Sequence, residues 1–184
     1  MTERKTEKKS RGRIADYLPL IKAADGLTLG QVCTLSGLEP TTIQNWIKRG
    51  YVPHPVAKKY SERHLARILL ISELRECMPI DRVGSLLVYI NGDTDDVSDD
   101  IITEERLYDV FCEMAETLDQ GQRSLNRAGE VVDETASSFA DIPEGDRERI
   151  MRALRVMAYG YAASCCKREA DQLFNTYISN SQGV

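Results

Sequence analysis

Residues 28–52 read TLGQVCTLSGLEPTTIQNWIKRGYV, and this stretch decides the fold. Thr28 with Gln31 three residues on is a capping-box pattern, in which hydroxyl and amide side chains satisfy each other's backbone N–H groups. It opens a short helix through Val32 and Leu35. Gly37 ends that helix, because glycine accepts the left-handed conformation that closes it. Pro40 then stands where a first-turn proline belongs, since its missing N–H is unbonded there anyway. The next helix runs through Ile43, Trp46 and Ile47 to Gly50. Two short helices joined by a tight glycine-containing turn make a helix-turn-helix.

The second helix of such a unit lies in the major groove of DNA, with its N-terminal side chains at base edges. Ile43 and Ile47 are four apart and face a core, which leaves Thr41, Thr42, Gln44, Asn45, Lys48 and Arg49 on the outer surface. Asparagine and glutamine offer paired hydrogen bonds to adenine. Threonine bonds a base edge or meets a thymine methyl, and lysine and arginine neutralise phosphate. No residue of the set is acidic, whereas an ordinary solvated face mixes both signs. The expected partner is double-stranded DNA, and the expected function is sequence-specific regulation of transcription. A competing expectation is a protein-interaction adaptor whose helices dock other proteins and never touch DNA.

Residues 51–60, YVPHPVAKKY, contain two prolines among β-branched and aromatic residues, which excludes a helix and suits a short hairpin-like wing. Lys58 and Lys59 of the wing would reach flanking phosphates. Ser61 caps the following helix, with Leu65, Ile68, Leu69 and Leu74 at helical spacing, and Met78-Pro79 breaks it. A shorter helix follows from Asp81 to about Tyr89. Beyond the acidic run NGDTDDVSDD, residues 91–100, the apolar positions Leu107, Phe111, Met114, Leu118, Leu125, Ala128 and Val132 recur at steps of four and three, with Gly121 filling one slot. That is a heptad seam, sustained to about Phe139. A second long helix is predicted from about Asp146 to Ile178, paired antiparallel with the first. The two stripes exceed what one partner helix covers, so a homodimer through a coiled coil is expected.

The resulting expectation is an all-α chain with a small β wing. Residues 1–13 form a mobile basic tail, 14–90 a winged-helix DNA-binding domain, 91–102 an acidic linker, and 103–184 a helical hairpin for dimerisation or an effector.

Charge follows the same division. Residues 1–75 hold 14 Lys+Arg against 7 Asp+Glu, and residues 76–184 hold 10 against 22, which together give the net −5. A basic half joined to an acidic half suits a nucleic-acid binder with a separate regulatory part. No stretch of about 18 apolar residues spans a membrane, and no apolar segment follows the charged N-terminus, so a cytoplasmic protein with no membrane partner is expected.

The order of TLGQVCTLSGLEPTTIQNWIKRGYV and then KKYSERHLARILLISELRECMPIDRVGSLL resembles the MerR winged-helix domain. More closely, TIQNWIKRG, KKYSERHLARIL and YINGD followed by DD resemble an uncharacterised bacterial family with a MerR-like helix-turn-helix, over about Leu27 to Phe111. The resemblance implies a DNA-binding regulator. Thr28 and Tyr60 are expected at the DNA interface as well, and Trp46 would keep an aromatic role against the DNA backbone. Gln44 and Trp46 stand where MerR proteins usually carry a phosphate-contacting arginine and a tyrosine. Gln44 lacks that charge, and the wing is short, with Lys58 and Lys59 as its only candidate cations.

Other signals are weaker. Asp93, Asp95 and Glu104 fall at positions 1, 3 and 12 of a calcium-loop spacing, but Val97 and Ser98 occupy positions that need an oxygen ligand and a glycine. No metal or cofactor is expected. Cys165 and Cys166 are adjacent, and on a helix they point about 100° apart, which argues against a shared thiol sensor. Tyr89, Tyr108, Phe111, Tyr159, Tyr161, Phe174 and Tyr177 would line a pocket for a small-molecule effector if they converge, and are core or interface if they do not. No nucleophile, phosphate-loop or metallohydrolase motif occurs, so an enzyme is not expected.

Overall fold

The computed structural model describes residues 11–120 and 125–178. The chain is all-α among these residues. Its helices are α1 (Ile14–Ala23), α2 (Leu29–Ser36), α3 (Pro40–Lys48), α4 (Glu62–Leu74), α5 (Ile80–Asn91), α6 (Glu104–Gln120), α7 (Leu125–Glu134) and α8 (Glu144–Tyr177), with a 3₁₀ turn at Thr135–Phe139. No described helix is long and apolar enough to cross a membrane.

Helix α4 organises the rest. His64, Leu65, Ala66, Arg67, Ile68, Leu70, Ile71 and Leu74 are all buried, so the helix is covered on nearly every side. It packs against α1, α2, α5, α6 and α8. Burying each of its aliphatic side chains contributes about 1.5–3 kcal/mol. One continuous core runs from Ile14 to Cys165 through this helix. The boundary drawn at 91–102 therefore divides the chain in sequence and not in packing.

The acidic segment is folded onto the body rather than free in solvent. Asn91 and Ile102 exchange hydrogen bonds, Asn91 Nδ2 to Ile102 O at 2.7 Å and Ile102 N to Asn91 Oδ1 at 3.3 Å. Thr94 is buried and receives Arg67 Nη2 on its hydroxyl at 3.0 Å and Arg63 Nη2 on its carbonyl at 3.1 Å. Arg67 also donates from Nε to Tyr51 O at 2.6 Å and pairs with the fully buried Glu104 at the start of α6. One guanidinium thus ties the segment after α3, the acidic segment and α6 together.

Three sequence expectations need correction. Residues 1–10 of the expected tail lie outside the described residues, but its last three are fixed. Arg11 pairs with Glu73 at 3.1 Å and Asp119 at 3.2 Å and donates to Tyr161 Oη at 2.8 Å, and Arg13 bonds Asp109 O and Glu116. Second, the seam expected in one long helix is divided between α6 and α7, and these pack on each other as well as on α8. Among the described residues the expected two-helix hairpin is instead an array of α6, α7 and α8. Third, Leu107, Phe111, Met114, Leu118, Ala128 and Val132 are buried within the chain, so this stripe is not a free dimer surface. The Leu125 side chain, the Gly121 slot and residues 179–184 lie outside what is described.

Candidate functional site

The α2–α3 unit forms as its local signals dictate. Thr28 accepts from Gln31 N at 3.3 Å, while Gln31 Oε1 accepts from Thr28 N at 2.8 Å. Gly37 closes α2 with φ +72°. Pro40 opens α3, and Gly50 at φ +74° ends it, with Tyr51 N bonded back to Trp46 O at 2.9 Å. Val32, Ile43 and Trp46 plant the pair on the core, and Arg75 lies 5.8 Å from the Trp46 ring centroid.

The opposite face of α3 is open. Thr41, Gln44, Asn45 and Lys48 follow at i, i+3, i+4 and i+7 and are all exposed, with Thr42 half-buried at the edge. None of the four side chains bonds to a described residue. The described side chains therefore leave their donors and acceptors to an outside partner or to water.

The remaining candidates divide. Trp46 and Tyr60, expected at the surface, are inside, at 3% and 4% exposure. Trp46 belongs with Ile43 on the inward face, a place its spacing of three already indicated. Thr28 is exposed but spends its hydroxyl on the cap. Arg49 is drawn toward α5, where it meets Asp81 at 2.8 Å and Tyr51 Oη at 2.7 Å. The Tyr51 phenol also bonds Asp81, which holds its pKa above the ordinary range. That cluster was invisible in sequence because its members lie 30 residues apart, yet Gly84 is its trace. A Cβ there would meet the Tyr51 ring at 2.7 Å, so glycine in mid-helix lets the ring lie on α5.

Among the described residues the wing holds no strand, only two isolated antiparallel bridges, Leu27 with Tyr60 and Val56 with Lys59. Its tip is a two-residue turn in which Ala57 and Lys58 have φ +49° and +62°, closed by Lys59 N to Val56 O at 2.8 Å. Lys58 stands exposed at this tip. Lys59 turns inward, where Nζ donates to Ala24 O at 2.7 Å and Gly26 O at 3.2 Å and so caps the end of α1. Asp95 of the acidic segment holds His54, accepting from its backbone N at 3.0 Å, and this bond keeps the Asp95 carboxyl below the usual carboxylate range.

Asp93, Asp95 and Glu104 serve three different partners, namely Asp95 N, His54 and Arg67. No His/Cys/Asp/Glu group suited to a metal occurs among the described residues. The seven aromatic residues do not converge either: Tyr108, Phe111 and Tyr161 are core, while Tyr89, Tyr159, Phe174 and Tyr177 are exposed.

Residues 27–111 match the model of a domain of unknown function (DUF1836), the span over which the sequence resembles an uncharacterised bacterial family. The uncharacterized protein YkrK of Bacillus subtilis (strain 168) is 30% identical over 111 residues, which are 58% of this chain and 44% of that protein. The chain thus spans less than half the length of this relative. No solved structure matches.

Proposed function

We propose that the chain reads double-stranded DNA as a MerR-like regulator of transcription, with α3 in the major groove and the wing tip at the flanking backbone. The observation that carries this reading is the outer face of α3, where Thr41, Gln44, Asn45 and Lys48 form one exposed row of donors, acceptors and positive charge with no acid in it. Asn45 and Gln44 have the amide geometry for adenine, and Lys48 with Lys58 meets phosphates. A regulator of this class acts as a two-fold pair, which sets two copies of α3 on successive major grooves.

The available cations are few. Arg49 is shared with Asp81, and Lys59 serves a backbone cap. With roughly two to three phosphates neutralised per copy, the salt slope is about −2 to −3 per copy. The test is fluorescence anisotropy of the full chain with random duplex and with its own upstream DNA over a salt series. Preference for the upstream DNA together with such a slope supports the reading, and no binding at about 50 mM salt ends it. The same diversion of Arg49 and Lys59 favours a second reading, the protein-interaction adaptor, which the no-binding outcome would select.

A further inference from the structure

Arg49 is the exception among the cations at the α3 edge. Lys48 and Lys58 bond to no described residue, but Arg49, which lies between them in the chain, is held by α5. Its Nη2 meets Asp81 Oδ1 at 2.8 Å and donates to Tyr51 Oη at 2.7 Å. The Tyr51 hydroxyl donates in turn to Asp81, and the guanidinium lies 4.8 Å from the Tyr51 ring centroid. The fold makes room for this cluster at Gly84, three residues after Asp81, where a side chain would collide with the Tyr51 ring. The Arg49 and Asp81 side chains nevertheless stay 43% and 73% exposed. Opening the contact unburies little, and an exposed ion pair of this kind shifts an equilibrium by only about 1.5- to 5-fold.

We propose that Asp81 stands in for a DNA phosphate and holds Arg49 off the duplex, an autoinhibitory contact at the end of α3. The proposal rests on the reading of α3 as the DNA-facing helix. Chemistry supports it first, because a guanidinium binds a carboxylate oxygen as it binds a phosphate oxygen, through a charge-assisted N–H bond. Position supports it second. Arg49 follows the exposed row of α3 directly and leads into the segment that reaches the wing, so its head group belongs to the same edge as Lys48.

The third support is a separate contact of the same kind at the root of the wing. Asp95 accepts from His54 N at 3.0 Å, and its second oxygen lies 3.3 Å from His54 Nδ1. Asp95 is fixed there because its neighbour Thr94 is buried and held by both Arg63 and Arg67. Between the α3 row and the wing tip, carboxylates from the acidic half of the chain thus meet the DNA-side residues at two points. A phosphate approaching this edge finds Arg49 already occupied and a negative charge beside it. Thr41, Gln44 and Asn45, which would read bases, are untouched by either acid. The contact therefore lowers affinity for every duplex alike and leaves sequence choice as it is.

Fluorescence anisotropy of the full chain with random and with upstream duplex, over a salt series, tests this on Asp81→Asn. Affinity for both duplexes is expected to rise about three- to fivefold, with the ratio between them unchanged and the salt slope steeper by about 0.9 per copy. Arg49→Ala is expected to change wild-type affinity by less than about twofold, yet to cancel the whole gain in the Asp81→Asn chain. A general loss of negative charge does not produce that non-additivity. Asp96→Asn, which removes an exposed acid bonded only to Ser98 N, is the control, and its effect is expected to be the same with or without Arg49. Tyr51→Phe keeps the ring on Gly84 and drops the hydroxyl. It is expected to raise affinity by a smaller factor, and it replaces Asp81→Asn if that chain loses its helical circular dichroism. A wild type that binds duplex no more weakly than Asp81→Asn, or an Arg49→Ala loss that is equal in the two chains, overturns the proposal and leaves the DNA reading standing. No binding by the wild type or any variant removes that reading and the proposal with it.

Discussion

Helices α3 and α4 are neighbours in the chain, both open on a local cap signal, and both carry polar side chains that they use in opposite ways. On α4 the polar groups are turned inward and spent: Arg67 binds Tyr51, Thr94 and Glu104, and His64 links Ser61 to His54. On α3 the inward positions are apolar, and Thr41, Gln44, Asn45 and Lys48 are bonded to no described residue. A buried polar group without its partner costs about 1–3 kcal/mol, and more if charged, so α4 is constrained by the fold. Nothing in the fold requires an asparagine at 45 or a glutamine at 44. The difference separates residues that hold the structure from residues available to a partner.

The sharpest break of this comparison lies in the buried pair. Glu104→Gln leaves Arg67 charged and unmatched in the core, and a loss of about 3–5 kcal/mol is expected in urea denaturation. Arg67→Met with Glu104→Leu removes both charges and should return part of that loss; equal losses for single and double changes would show that charge is not what the site balances. Next in size is the opposite case. Gln44→Ala with Asn45→Ala should leave stability within about 0.5 kcal/mol, while each costs about 1–3 kcal/mol of discrimination between DNA sequences. A large stability loss would mean that α3 is not the open face described.

The smallest effect concerns pH. Ser61 N donates to His64 Nδ1 at 3.1 Å, which leaves the ring proton on Nε2 facing His54 O at 3.3 Å. Burial pushes the His64 pKa below 6.5, and the nearby Arg63 adds to this against the pull of the His54 carbonyl, Asp95 and Glu62. The unfolded chain then binds more protons in the window between the lowered value and 6.5. This contribution is therefore complete above pH 6.5 and declines as pH falls through the window. The difference in stability between wild type and His64→Gln should narrow over that range, and a constant difference would contradict the assignment.

What was legible in the sequence was local. Thr28, Gly37, Pro40 and Gly50 announce α2 and α3 within a few residues of their own backbone, and the exposed row on α3 follows from the period of a helix. What stayed hidden depended on distant partners. Arg11 and Arg13 read as tail because Glu73, Asp109, Glu116 and Asp119 lie 60 or more positions away. No helix was expected at α1, although Ile14, Tyr17, Leu18 and Ile21 keep helical spacing around its internal Pro19. Arg49 and Lys59 looked like phosphate ligands because neither Asp81 nor the end of α1 can be placed beside them from sequence.

The most direct test of the central claim is an amide chemical-shift map of the full chain titrated with its upstream duplex. Shifts concentrated at residues 41–49 and at the wing tip 57–58, with α4 unmoved, are the predicted result. Shifts confined to α5 or α8, or none at all at saturating duplex, would contradict it.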